Sequence, residues 1–181
     1  MQPARPQANT APPVTVAQIR EAIGSLFMLW ASTEQEIHRC LAAFGRPDED
    51  LCISHAITRW KSLHTAHARI PAQIDVANRF VARLTAARLL RNGIGHGFAG
   101  YSADPSGQGL PVELQYRQGR ETVSVPFRQL ERSIADLATA GFTLYRLTGA
   151  ATDPSPHGAE DMVADIAQSL DRTARDHPDT V

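Results

Sequence analysis

From Thr15 onward the apolar residues Ile19, Ile23, Leu26, Phe27, Trp30, Ile37 and Leu41 return at helical spacing, and a stripe of that length commits the chain to a long helix packed against other helices. Thr15 offers a capping hydroxyl, and Gln18 three residues later completes a capping-box pattern, so helix one is predicted from Val16 to Phe44. Gly45-Arg46-Pro47 breaks it. Asp48-Glu49-Asp50 then place negative charge where the N-terminal dipole of a second helix favours it, and Leu51, Ile57, Trp60 and Leu63 carry that helix's stripe. Pro71 opens a third helix, since its missing N–H is no loss in the first turn, and Ile74, Ala77, Val81 and Leu84 form the seam.

After Gly100 the period changes. Asp104 to Gly109 reads as loop, Val112, Leu114 and Tyr116 alternate, and Val123, Val125 and Phe127 alternate again across Arg117-Gln118-Gly119-Arg120. These segments are predicted to form a β-hairpin, joined by a short strand around Gly97 to Tyr101. A fourth helix follows from Phe127 to Leu147, weakened locally by Gly141. The expected fold is mainly α, an up-and-down bundle of four main helices with the hairpin inserted between helices three and four. Residues 1–14 read as a disordered arm, 15–148 as the domain, and 149–181 as a Pro-containing linker to Gly158 followed by a short amphipathic helix through Met162, Val163, Ile166 and Leu170. No signal-like or membrane-length apolar run is visible, so a cytoplasmic protein is expected. Cys40 and Cys52 sit in or beside helical patterns and read as reduced core thiols.

The formal net charge of −1 argues against a basic coat, yet between Leu51 and Gly100 seven basic residues meet a single acid, Asp75. That segment either presents a positive surface to a polyanion or is balanced by acids on other helices. The seam of helix three, continued at its own spacing, runs into Arg88 and then Arg91. A cation carried into a packing surface is costly unless paired, so it is either neutralised, with Glu34 or Glu36 on helix one as orienting partners, or functional. Arg91-Asn92-Gly93-Ile94-Gly95-His96 closes the pattern. Arginine offers a permanent forked cation suited to phosphate, and histidine exchanges protons near neutrality, a pairing that suits phosphodiester chemistry. Arg88 and Arg83 are substrate-contact candidates on the same helix, and the two glycines read as a flexible or specially turned helix end.

The order helix, helix, helix, hairpin, helix, with Arg-Asn-x-x-x-His closing the third, resembles the HEPN superfamily (higher eukaryotes and prokaryotes nucleotide-binding domain). The resemblance covers roughly Val16 to Leu147, and Gly97 directly after the histidine fits it. It implies a helical homodimer with both motifs near the two-fold axis in one composite cleft, often a metal-independent ribonuclease of a toxin or defence system. On that resemblance His96 acts as general base or acid on the ribose 2′-hydroxyl and the leaving oxygen, Arg91 steadies the phosphate, and Asn92 orients histidine or substrate. RNA or a nucleotide and an antitoxin protein are the implied partners. Phe98 stands where toxin members controlled by a nucleotidyltransferase carry a tyrosine, so that control is not expected, and Tyr101 lies three residues further on. The alternative is a non-catalytic dimeric interaction or nucleotide-binding scaffold of the same fold.

Other signals read as structural. His64 and His67, three apart on helix two, suit a polar helix face better than a metal site, and Trp30 and Trp60 belong to core stripes. No phosphate loop or paired-cysteine motif calls for a cofactor or a metal.

Overall fold

The computed structural model describes residues 14–47, 51–102, 112–153 and 159–176. Within them lie α1 (Val16–Ala43), α2 (Ile53–His67), α3 (Pro71–Gly97), α4 (Phe127–Thr152) and α5 (Ala159–Asp176), with β1 (Phe98–Ser102), β2 (Glu113–Gln118) and β3 (Glu121–Pro126) between α3 and α4. The protein is mainly helical with a small antiparallel sheet. The N-terminal arm to residue 13, Asp48-Glu49-Asp50, the 104–109 loop and the linker from residue 154 to 158 lie outside the described residues.

Local chemistry sets the helix starts. The Thr15 hydroxyl accepts from the Gln18 N–H at 3.3 Å while Gln18 Oε1 accepts from the Thr15 N–H at 2.8 Å, closing the expected capping box. Pro71 opens α3, and Gln73 finishes the cap: its Oε1 accepts from the Arg69 and Ile70 N–H groups at 2.6 and 3.1 Å. The Gln73 Nε2 donates to the Ala150 carbonyl at 3.2 Å, which ties the start of α3 to the end of α4 and satisfies a fully buried amide. The buried stripe of α3 accordingly runs through Gln73, Val76, Ala77, Phe80, Leu84, Ala87, Leu90 and Ile94. It shares Ala77 and Leu84 with the predicted seam, whereas Ile74 and Val81 flank it half-buried.

Helix directions depart from the simple alternation expected. α1 and α4 run in parallel, with Gln18 beside Phe127, Glu36 beside Gly141, and Ala43 near Gly149. α2 points the same way: Trp60 Nε1 donates to Thr148 Oγ1 at 2.9 Å, and His67 near its end meets Phe44 just past the end of α1. α3 and α5 run opposite, since Gln73 reaches Ala150 and Arg83 reaches Asp136 along α4, and Arg146 of α4 pairs with Asp165 of α5. The successive helices α1 and α2 therefore point to one end of the molecule.

Three expectations about individual elements are corrected. α4 does not stop at Leu147 but continues to Thr152, because Thr148, Ala150 and Ala151 are buried and alanine is the best helix former. Cys52 is no core thiol: it is exposed at the N-cap of α2, where the Ser54 hydroxyl foremost, with the His55 main chain, lowers its pKa, whereas buried Cys40 is raised to about 11 by desolvation. His64 is not on a polar face. It is wholly buried against Trp60, ring centroids 5.3 Å apart, with neither ring nitrogen hydrogen-bonded. Trp30 and Trp60 are core residues as expected.

Arg83 sits where α3, α4 and α5 meet. Its guanidinium donates to Asp136 Oδ1 and to the Leu170 carbonyl, each at 2.7 Å, and both charged side chains are nearly covered. Arg79 pairs with Asp171 of α5. Acids from the last two helices thus balance this part of the basic segment, and Arg83 is a joint between helices instead of the predicted substrate contact.

Candidate functional site

The helix expected to end near Arg91 runs on through Gly93 and Gly95 to Gly97. Glycine inside a helix is worse than alanine by about 1 kcal/mol, so a tertiary reason must favour it here. The sheet supplies one. β2 and β3 pair with Leu114 opposite Val125 and Tyr116 opposite Val123, and β1 pairs with β2 with Phe98 opposite Tyr116. The face carrying Leu114 and Tyr116 lies on the last turns of α3. A Cβ on Gly93 would fall 2.4 Å from the Tyr116 ring, one on Gly97 would fall 2.3 Å from the Arg117 carbonyl oxygen, and one on Gly95 would lie 3.2 Å from the Phe27 ring. The glycines let the helix end approach the sheet and α1 closely, and they do not loosen it.

Alanine at Gly97 tests this packing. Helix propensity favours the substitution by about 1 kcal/mol, but overlap with a backbone oxygen that cannot rotate away outweighs it, for a net loss of about 1–3 kcal/mol in urea unfolding. Gly24→Ala on α1, where nothing lies within 4 Å of the new methyl, is expected to gain about 0.5–1 kcal/mol. A stabilising Gly97→Ala would contradict the close approach.

On this clamped helix end Arg91 is half-buried, its guanidinium carbon 5.1 Å from the centroid of the Phe27 ring. Its NH1 donates to Asn92 Oδ1 at 3.1 Å, and its Nε is enclosed without a hydrogen-bond partner. His96 is exposed. Residues five apart on an α-helix are about 140° apart around the axis and about 9 Å apart between Cα atoms, so Arg91 and His96 stand on either side of Asn92. Asn92, between them, is the side chain that accepts from the arginine. Arg88, half-buried one turn before Asn92, continues the same face.

Neither predicted carboxylate reaches these arginines. Glu34 accepts from Trp30 Nε1, and Glu36, turned toward α4, pairs with Arg39 and accepts from the Cys40 thiol at 3.8 Å. The Arg91 charge is met instead by the π face of Phe27, an interaction worth about 0.5–2 kcal/mol, and by the Asn92 carbonyl. Among the described residues neither Arg88 nor Arg91 has a carboxylate partner.

Sequence reading missed three contributors. Phe27 was legible as part of an apolar stripe but not as the floor under Arg91. Tyr116 was legible as an inward strand residue, though its seat on Gly93 was not. Arg117, read as part of a turn, is exposed with its main chain against Gly97, next to His96. A cavity of about 580 Å³ between α1, α4 and α5 is lined by Cys40, Tyr145, Arg146 and Thr148 among others and contains none of the predicted site residues. Among the described residues no group of three or more His, Cys, Asp or Glu is placed to hold a metal, and no helix is long and apolar enough to cross a membrane. No family model, curated protein or solved structure matches the chain.

Proposed function

We propose that this chain is a cytoplasmic HEPN-like homodimer that cleaves RNA without a metal, of the kind found in toxin and defence systems. The observation that carries the reading is the Arg91-Asn92-x-x-x-His96 set on one continuous helix end, held by glycine contacts to the sheet and α1, with a guanidinium that lacks a carboxylate partner among the described residues. Fixed placement matters because catalytic geometry tolerates little displacement. Leu89 of α3 at 55 % exposure and Met28, next to Phe27 on α1, at 77 % exposure supply apolar area for a second copy. Since Arg91 and His96 of one chain stand on either side of Asn92, two facing copies surround a phosphate better than one.

In the proposed reaction His96 takes the proton from a ribose 2′-hydroxyl and the 2′-oxygen attacks phosphorus. The bond from phosphorus to the 5′-oxygen breaks, a histidine protonates that oxygen, and a 2′,3′-cyclic phosphate and a 5′-hydroxyl result. Arg91 stabilises the charge on the non-bridging oxygens. The half-burial of Arg91 on Phe27 favours a second reading, a non-catalytic dimeric or nucleotide-binding scaffold in which the arginine only supports the interface. Purified protein incubated with mixed RNA in a chelator separates them. His96→Ala is expected to slow cleavage roughly 100-fold to 10,000-fold, and Arg91→Ala strongly as well. RNA left equally intact by wild type and variants, all dimeric, leaves the scaffold reading.

A further inference from the structure

We propose that Phe98 and Tyr101 of β1 form a base-stacking platform beside His96, which fixes where unpaired RNA lies relative to the cut. The proposal rests on the RNA reading above and assigns its positioning residues. Three residues apart on a regular strand, these rings would point to opposite faces. The β1 to β2 register shifts between Phe98 and Gly100, however, so that Phe98 lies opposite Tyr116 and Tyr101 opposite Leu114. Directly opposed residues share a face, and a bulge is a recurrent device for re-aiming a side chain. Both aromatics therefore belong to the face that carries Leu114 and Tyr116.

Their environments differ from those of their partners. Leu114 is fully buried and Tyr116 sits against Gly93, while Phe98 is 46 % and Tyr101 39 % exposed. Two strand rises separate their partners on β2, which places the two positions about 7 Å apart along the sheet. Phe98 follows the exposed His96 by two residues, so a base on this platform has its phosphate close to the imidazole. Cations lie at the same end of the molecule: Arg117 is exposed on β2 with its main chain against Gly97, Arg120 is exposed in the turn between β2 and β3 with Glu121 beside it, and Arg88 is half-buried about two turns before His96 on α3. Bases in a duplex keep their faces stacked inside, so such a platform selects unpaired strands.

The test uses the full chain with His96→Ala, which keeps the probe intact, and fluorescence anisotropy with a labelled unpaired oligoribonucleotide and a labelled blunt-ended RNA duplex. Phe98→Ala and Tyr101→Ala are each expected to weaken binding of the unpaired probe about tenfold or more. Duplex affinity is expected to hold, as is elution as a dimer, and Phe98→Tyr and Tyr101→Phe are expected to bind like the parent. Unchanged affinity for the unpaired probe in the alanine variants overturns the platform while leaving the cleavage reading intact. Loss of the dimer in those variants overturns it in favour of a subunit contact. Failure of the parent to bind either probe, with wild type cleaving no RNA, overturns both readings.

Discussion

Replacing Arg83 with methionine is expected to lower unfolding stability by about 3–5 kcal/mol, the range for removing one partner of a buried ion pair. The magnitude follows from what is left behind. Asp136 keeps a carboxylate in a nearly covered site, and the Leu170 carbonyl loses its side-chain donor, so the contact that fastens α5 to α3 and α4 is lost at two points. Replacing both partners, Arg83→Met with Asp136→Leu, removes the uncompensated charge and is expected to recover most of the loss. Urea unfolding with intrinsic tryptophan fluorescence reads this directly. A loss under about 1 kcal/mol for Arg83→Met would place the pair with surface ion pairs and undo its assignment as a joint.

Acid is expected to destabilise the fold through His64. Desolvation by burial foremost, aided by nearby His67, lowers its pKa to about 4, and the opposing pull of the Leu147 main chain is smaller. The unfolded chain titrates this histidine at about 6.5, so the folded state binds fewer protons between the two values. Stability is therefore full above pH 6.5 and is lost progressively as pH falls toward 4, by about 3 kcal/mol in all. Between pH 7.5 and 4.5 the wild type is expected to lose about 2–3 kcal/mol more than His64→Leu, which removes the titration and keeps an apolar side chain against Trp60. Equal losses in the two proteins would mean that His64 is not held neutral by the core.

What could be read from the sequence was local. The capping box at Thr15 and Gln18 and the proline start of α3 need neighbours only a few residues away, and both appear as expected. β2 and β3 pair across the expected turn and the Tyr116 ring lies against Gly93, although Val112 precedes β2 and Phe127 opens α4. The rest depended on contacts far along the chain. Gly93 and Gly97 look like a helix stop until Tyr116 and Arg117 are brought against them. Gln73 looks like a surface residue until Ala150 accepts its amide, and that burial turns the α3 stripe away from the apolar seam. Arg83 looks like a free cation until Asp136 arrives from α4, and Glu36 looks available to α3 until α1 turns it toward α4. For the site, the sequence marked Arg91 and His96 by residue type and spacing. It could not show that Phe27 lies under the arginine or that Asn92 is engaged by it.

The proposed role of His96 is to move protons in a metal-free cleavage of RNA. It is read from the cleavage rate of one defined unpaired oligoribonucleotide in excess EDTA, comparing wild type with His96→Ala at matched protein concentration and identifying the product ends. Wild type is expected to leave 2′,3′-cyclic phosphate and 5′-hydroxyl ends, and the variant to cleave at least about 100-fold more slowly. Equal rates from the two proteins, or products bearing 5′-phosphates, would contradict it.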